Sequence, residues 1–125
     1  MSGFTELEWM VLAVICDDQP SVAGPLRKLL SDARISERDN TGHGFYTSFD
    51  LGKNAPPIDW PSRLLDGPNA EIAVGNETLL MGFILWLDRG YPNCLEGFQY
   101  GTPTGDDIDL KTVDLAAIRW IKRML

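Results

Sequence analysis

The first third of the chain has apolar residues at helical spacing, which predicts two helices. Thr5 and Glu8 have the spacing of a capping box, and Phe4 and Trp9 stand at the two positions of a hydrophobic staple. The following stretch, 9–16, is apolar on nearly every side, which is typical of a helix that is buried or lies against a partner. The second helix is shorter and has its apolar stripe at Leu26, Leu29, Leu30 and Ala33.

The pattern then changes to period two, which predicts strands. The predicted strands are residues 34–39, 44–51, 70–75, 79–87 and 91–100. The first is polar and charged, as suits the edge of a sheet, whereas 79–87 is apolar on both faces, as suits a central strand. A turn at 88–90 joins the last two strands, and Gly90 supplies its left-handed backbone. Gly97 marks a bulge or a close approach of the backbone.

Two further segments complete the predicted domain. Residues 52–69 contain four prolines and are predicted to be irregular, with Trp60 holding the loop to the body. An apolar stripe from Leu110 to Met124 predicts a final helix over 110–125. The element order therefore predicts a single α+β domain, 1–125, with an antiparallel sheet of about five strands, two N-terminal helices and one C-terminal helix.

The charge balance limits the classes of partner. The chain of 125 residues has a formal net charge of −7, which disfavours binding to nucleic acid or to an anionic membrane. An acidic surface aids solubility, and it also suits a basic protein partner. Glu6 and Glu8 precede the first apolar run, where a secretory signal needs basic residues. We therefore expect a cytoplasmic protein.

Few residues carry obvious chemistry. His43, the only histidine, lies between two glycines in a predicted turn, so we expect a solvated loop residue rather than a general base. Cys16 and Cys94 are far apart and are expected to be buried thiols. One histidine without a patterned set of carboxylates is no metal site. We predict no catalytic residue, no metal and no cofactor, and we lean against an enzyme.

The aromatic residues of the predicted strands allow two interpretations. Core packing accounts for most of them, but Tyr46, Trp86 and Tyr100 are also placed to share a sheet face with Glu96. Aromatic rings around one carboxylate suit a small polar or cationic ligand. Alternatively, Arg34 or Arg38 pairs with Glu96 in a structural role. The candidate ligand-binding residues are His43, Tyr46, Glu96 and Tyr100.

Two segments carry a resemblance to other proteins. Residues 41–47, TGHGFYT, and 95–101, LEGFQYG, flank a long apolar strand that ends in an Asp-x-Gly turn. This arrangement resembles a group of small uncharacterised bacterial proteins that have a TGxGF(Y/F)T stretch and a later LEG(F/Y)xY stretch. The resemblance covers roughly residues 34–101. It implies a bacterial, intracellular α+β domain and assigns no functional residue.

These observations leave three hypotheses of function. The first is a non-catalytic protein that binds a basic partner, for instance an immunity-type inhibitor of a toxin. The alternative is an enzyme or small-molecule-binding protein with a site near His43, Tyr46, Glu96 and Tyr100. The third is a homodimer that joins through a bare sheet face or the apolar first helix. The third hypothesis is compatible with the first.

Overall fold

The structure, a computed structural model, describes residues 3–40, 44–52, 56–74, 77–99 and 118–121. Two helices precede a sheet of six strands. The elements are α1 (Glu6–Asp18), α2 (Ala23–Ser31), β1 (Arg34–Asn40), β2 (Gly44–Asp50), β3 (Leu64–Val74), β4 (Glu77–Asp88), β5 (Tyr91–Gln99) and β6 (Ile118–Ile121). The predicted α+β class, the two N-terminal helices and the antiparallel sheet are confirmed.

The start of α1 follows from its sequence. The Thr5 side chain accepts from the Glu8 backbone N–H, and the Glu8 carboxylate accepts from the Thr5 N–H, so the predicted capping box is present. The rings of Phe4 and Trp9 meet edge to face with centroids 5.1 Å apart, which confirms the staple. Neither described helix is long and apolar enough to cross a membrane.

The strand order places the apolar strand in the interior of the sheet. The order is β1-β2-β5-β4-β3-β6, and all neighbouring pairs are antiparallel. The charged strand β1 lies at one edge, as predicted. β4 lies between β5 and β3, which confirms its prediction as a central strand. The turn between β4 and β5 has positive φ at both Arg89 and Gly90, as two-residue hairpins require.

The prediction that residues 52–69 are irregular was partly wrong. The strand β3 begins at Leu64, whereas the prediction began it at residue 70. The register shifts between Asp66 and Asn69, so Gly67 and Pro68 leave the ladder. A bulge of this kind accommodates a proline, which has no N–H to donate. Gly67 is needed there because a β carbon would lie 2.7 Å from the carbonyl oxygen of Phe83.

The predicted C-terminal helix over 110–125 is not shown. Its described part, Ile118–Ile121, is the strand β6, which pairs antiparallel with β3. Isoleucine and tryptophan are good strand formers, and the long β3 offers them an edge to pair with. Residues 110–117 and 122–125 of the prediction lie outside the described residues.

Both described helices contact the sheet on one face, which we call the inner face; α1 contacts β3, and α2 contacts β5. The core lies between these helices and the inner face. Its largest fully buried side chains include Leu12, Ile15, Leu26, Leu65, Phe83, Leu85 and Leu95. The opposite surface is here called the outer face. On β2 the two faces alternate, with Phe45, Thr47 and Phe49 buried and Tyr46 and Asp50 exposed.

Candidate functional site

The outer face brings together the carboxylate and the aromatic residues that the sequence suggested. Tyr46 on β2 stands directly opposite Glu96 on β5, and Glu96 stands opposite Ile84 on β4. Two positions further along the same strands, and so on the same face, Trp86 stands opposite Cys94. Directly opposed side chains in an antiparallel pair lie on the same face and in contact range. The hairpin β4–β5 and the strand β2, which is distant from it in sequence, therefore form one cluster.

Glu96 is the centre of this cluster. The Trp86 indole Nε1–H donates to its Oε1 at 2.9 Å. The Glu96 carboxylate also raises the pKa of Tyr46 above its ordinary value of 10.0, first by its charge and then by accepting a hydrogen bond from the phenol. Glu96 is half-buried, whereas Tyr46 is 40% exposed. An aromatic hydroxyl and an indole thus orient one carboxylate on a surface that solvent reaches.

Cys94 extends the cluster along β5. Its Sγ lies 3.8 Å from Ser48 Oγ, and the two residues are partners in the β2–β5 register. Cys94 is half-buried rather than fully buried as predicted, whereas Cys16 is buried and both thiols are free. Burial raises the pKa of the Cys94 thiol, the Ser48 hydrogen bond opposes that shift, and the charge of Glu96 adds to it. A thiol of this kind is mostly protonated and a weak nucleophile at neutral pH.

Further carboxylates surround the cluster on the outer face. Glu37, Asp39 and Asp50 are exposed, and their register partners place them on the same side as Ser48, Tyr46 and Arg34. The charge of Asp39 reaches Tyr46 and contributes to its raised pKa. Among the described side chains of β1, β2 and β5, Arg34 is the only basic residue on this face. This half of the outer face is therefore strongly acidic.

A second cluster, around the carboxylate of Glu8, lies on the inner face. It was not predicted from the sequence. Glu8, 3% exposed, accepts from Arg38 Nη2 at 2.7 Å and from Thr47 Oγ1 at 2.5 Å, besides the cap bond from Thr5. Burial raises the pKa of Glu8, but the hydrogen bonds from Arg38, Thr47 and Thr5 and the charge of Arg38 more than offset it, so the pKa lies below its ordinary value of 4.5. This arrangement is a structural ion pair.

The inner cluster corrects the suggested pairing of Arg38 with Glu96. The register of β1 shifts between Ile35 and Glu37, so one extra residue turns Arg38 toward the inner face beside Thr47. Arg38 also donates to the carbonyl oxygen of Gly3 at 2.8 Å. The sequence held one signal of this ion pair, because Glu8 is a charged residue at the start of an apolar helix. A carboxylate buried there needs a cation as its partner.

Of the predicted site residues, the structure brings Tyr46 and Glu96 into direct interaction. His43 and Tyr100 lie outside the described residues, so their place in the site stays a prediction. Within the described part of the chain, no group of three or more His, Cys, Asp or Glu residues could hold a metal ion. The described cluster can accept a cation or a hydrogen-bond donor at Glu96 and offer aromatic faces beside it.

No protein-family model matches the chain, and searches of curated proteins and of solved structures also returned no match. The resemblance to small bacterial proteins therefore stays a prediction.

Proposed function

We propose that this protein is a non-catalytic binding protein whose outer face recognises a basic protein. The observation that carries the proposal is the concentration of exposed carboxylates around two aromatic residues. Asp39 stands opposite Tyr46, Glu37 and Asp50 lie further along the same face, and Tyr46 interacts with Glu96. A surface with mostly negative charge attracts a positively charged partner and increases the rate at which the two associate.

The aromatic residues supply the second requirement of an interface. Tyrosine and tryptophan are enriched among the residues that dominate binding energy, because they bury much area with few rotatable bonds. Tyr46 is 40% exposed and Trp86 is half-buried. An arginine or lysine of a partner can pair with the Glu96 carboxylate while it packs on these rings.

The charge of the outer face favours a basic partner over a second copy of this chain. Two copies that meet through this face would oppose Asp39, Asp50 and Glu96 to identical carboxylates, and like charges across an interface are destabilising. An inhibitor of a basic toxin, as immunity proteins are, is one form that such a binding protein takes. We place it in the cytoplasm of a bacterial cell.

The test compares two double variants that lose the same charge from opposite faces. Asp39→Asn/Glu96→Gln removes two carboxylates from the outer face, and the control Glu6→Gln/Asp18→Asn removes two exposed ones from α1. Tagged wild type and both variants are incubated with bacterial lysate at low and at high salt. We expect one basic protein that wild type and the control retain at low salt, and that the outer-face variant loses.

The captured protein is then purified and titrated. We expect the outer-face variant to bind it at least about tenfold more weakly, mainly through slower association, and the difference to shrink at high salt. Equal affinity of the outer-face variant and the control would contradict the proposal. A dimeric mass of the pure chain in sedimentation, abolished by the outer-face variant, would replace it with self-association.

A second candidate is a site for a small cationic ligand or substrate at Glu96. The convergence of Tyr46 and Trp86 on one carboxylate supports it, since aromatic faces beside an anion suit a quaternary amine. His43 and Tyr100 are the further residues of this candidate. Choline is a suitable probe, and it should shift the Tyr46 and Trp86 NMR resonances in wild type but not in Glu96→Gln. If His43→Ala and Glu96→Gln leave the titration unchanged, the candidate fails.

A further inference from the structure

A groove at one end of the sheet shares Trp86 with the outer-face cluster, but none of the outer-face carboxylates lines it. Its volume is about 720 Å³, within the range of roughly 300–1,000 Å³ that small-molecule sites occupy. The segment 58–63 forms one wall, and the β4–β5 hairpin with Asn93 forms the other. All of these residues belong to the described part of the chain.

Backbone hydrogen bonds fix the walls of the groove. The Ile58 N–H donates to the Gly90 carbonyl oxygen at 2.9 Å, and the Leu87 N–H donates to the Arg63 carbonyl oxygen at 2.8 Å. The Trp60 indole N–H donates to the Leu64 carbonyl oxygen at 2.9 Å. The loop is thus tied to the hairpin at both ends, and the groove exists before any ligand enters. A preformed site loses less entropy on binding.

Part of the groove lining is apolar and aromatic. Among the lining residues, Ile58 and Leu87 are buried, and Trp60 and Trp86 are half-buried. Indole rings favour planar or apolar groups, which can pack on them by stacked or edge-to-face contacts. The two tryptophan rings therefore suit the ring or hydrocarbon part of a ligand.

Two guanidinium groups stand at the rim. Arg63 and Arg89 are exposed and line the groove, and neither is in an ion pair within the described residues. Asp59 and Asp88 line the same groove without forming an ion pair to either arginine. By contrast, Arg38 is paired with a carboxylate elsewhere in the fold. The two guanidinium groups therefore remain available to bind an anion in a forked geometry.

The backbone at Arg89 supports this assignment. Its φ is +53°, in the left-handed region that glycine, asparagine and aspartate usually occupy in such turns. The hairpin itself accounts for the positive φ, and a long side chain at this position of the turn is unusual. The turn projects the arginine from the end of the hairpin, beside the groove.

We propose that this groove binds a small monoanion with a planar or apolar group, such as an aromatic carboxylic acid. Arg63 and Arg89 hold the anionic group, and Trp60 and Trp86 pack against the ring. Asp59 and Asp88 balance the charge of the two arginines, so the lining has little excess positive charge and favours one negative charge over several. The ligand is distinct from the basic protein of the proposed function, because it uses the arginine residues of the rim and not the carboxylates of the outer face.

The test follows the Trp60 and Trp86 indole N–H resonances during titration with 3-phenylpropionate. Two further probes are compared with it. 3-Phenylpropan-1-ol has no negative charge, and phenyl phosphate has more negative charge than the carboxylate. We expect the acid to bind wild type and to shift both resonances, and the alcohol and the phosphate to bind at least about fivefold more weakly. The acid should bind Arg63→Gln and Arg89→Gln about tenfold more weakly, since a charge-assisted hydrogen bond is lost.

Arg34→Gln is the matched control, because it removes an exposed arginine of β1 on the outer face. It should bind the acid as wild type does, and circular dichroism should show that all three variants are folded. Equal affinities for acid and alcohol, equal affinities of Arg63→Gln and Arg34→Gln, or no shift at about 10 mM acid would each overturn the proposal. Loss of protein binding with the acid site intact would refute only the proposed function.

Discussion

Glu8 and Glu96 are two glutamates on opposite sides of the sheet, and their surroundings differ. Glu8 belongs to α1 and packs against the inner face, whereas Glu96 belongs to β5 and lies on the outer face. Glu8 is buried between its own helix, α1, and the strands β1 and β2, where it accepts from an arginine, a hydroxyl and a backbone N–H. Glu96 is half-buried, and its partners are the uncharged side chains of Trp86 and Tyr46. The first carboxylate has its cation within the fold, while the second presents its charge toward the surface.

The difference separates a stabilising role from a binding role. A buried carboxylate is tolerated only with a paired cation and further hydrogen bonds, so the Glu8 cluster serves the fold. A half-exposed carboxylate that two aromatic donors hold in place contributes little to stability, and its charge is available to a partner. Variants of the inner face should therefore change the free energy of unfolding, and variants of the outer face should change recognition.

The largest expected effect comes from removing the cation of the inner cluster. Arg38→Ala leaves Glu8 buried and unpaired, and we expect the free energy of unfolding to fall by about 3 kcal/mol. Urea denaturation at pH 7 measures it. The control Arg34→Ala removes an exposed arginine of the same strand and should change the value by less than about 0.5 kcal/mol. Similar losses in both variants would show that the inner cluster is not the source of stability.

A smaller loss of stability is expected when one methyl group is added on the inner face. Gly97 faces Phe45, and a β carbon there would lie 2.2 Å from the ring, so Gly97→Ala should lower the free energy of unfolding by about 2 kcal/mol. Gly24→Ala in α2 meets nothing within 4 Å and should raise it by up to about 1 kcal/mol. Thermal or urea denaturation of the two variants gives the comparison. A neutral Gly97→Ala would mean that the inner face is loosely packed.

The inner cluster should also make the free energy of unfolding depend on pH in the acidic range. The pKa of Glu8 is lowered in the folded state, so its contribution is complete above the unfolded pKa near 4.5 and is lost as the pH falls through the folded value. In denaturation from pH 6 to about pH 3, Glu8→Gln should show a shallower decline than wild type. Gly24→Ala, which changes no titratable group, is the control and should decline in parallel with wild type. If stability falls with pH equally in wild type and Glu8→Gln, the Glu8 carboxylate does not stabilise the fold as proposed.

The smallest expected effect is spectroscopic. The Glu96 charge and its hydrogen bond raise the pKa of Tyr46, so Glu96→Gln should lower that pKa toward 10.0. The ring carbon resonances of Tyr46 in an alkaline NMR titration report it. Asp50→Asn, a more distant carboxylate of the same strand, is the control and should leave the titration of Tyr46 nearly unchanged. An unaltered pKa in Glu96→Gln would show that the two side chains do not interact in solution.

Local signals in the sequence predicted the elements well. The capping box of Thr5 and Glu8, the staple of Phe4 and Trp9 and the hairpin turn at Gly90 were all found as expected. Each depends on residues a few positions apart, where geometry follows from the chain itself. The shared face of Tyr46, Trp86 and Glu96 was also predicted, because strand periodicity fixes the face of every second residue.

Features that depend on distant pairing were not predicted. The bulge in β1 turned Arg38 inward, and only the Glu8 carboxylate in α1 explains why that direction is stable. Ile118–Ile121 has neither length nor alternation enough to be distinguished from a helix turn without its partner β3. The groove at Arg63 and Arg89 is formed by a loop and a hairpin whose contact no local pattern encodes.

The contact between β2 and β5 has a consequence for the order of folding. β3, β4 and β5 follow one another as hairpins, whereas pairing Tyr46 with Glu96 closes a loop of about fifty residues. Contacts of such sequence separation form slowly, so we expect the three-stranded meander to form first and α1, α2, β1 and β2 to dock later. The Glu96 cluster spans this late junction. Partly folded chains therefore lack the cluster, and recognition is restricted to molecules that have completed folding.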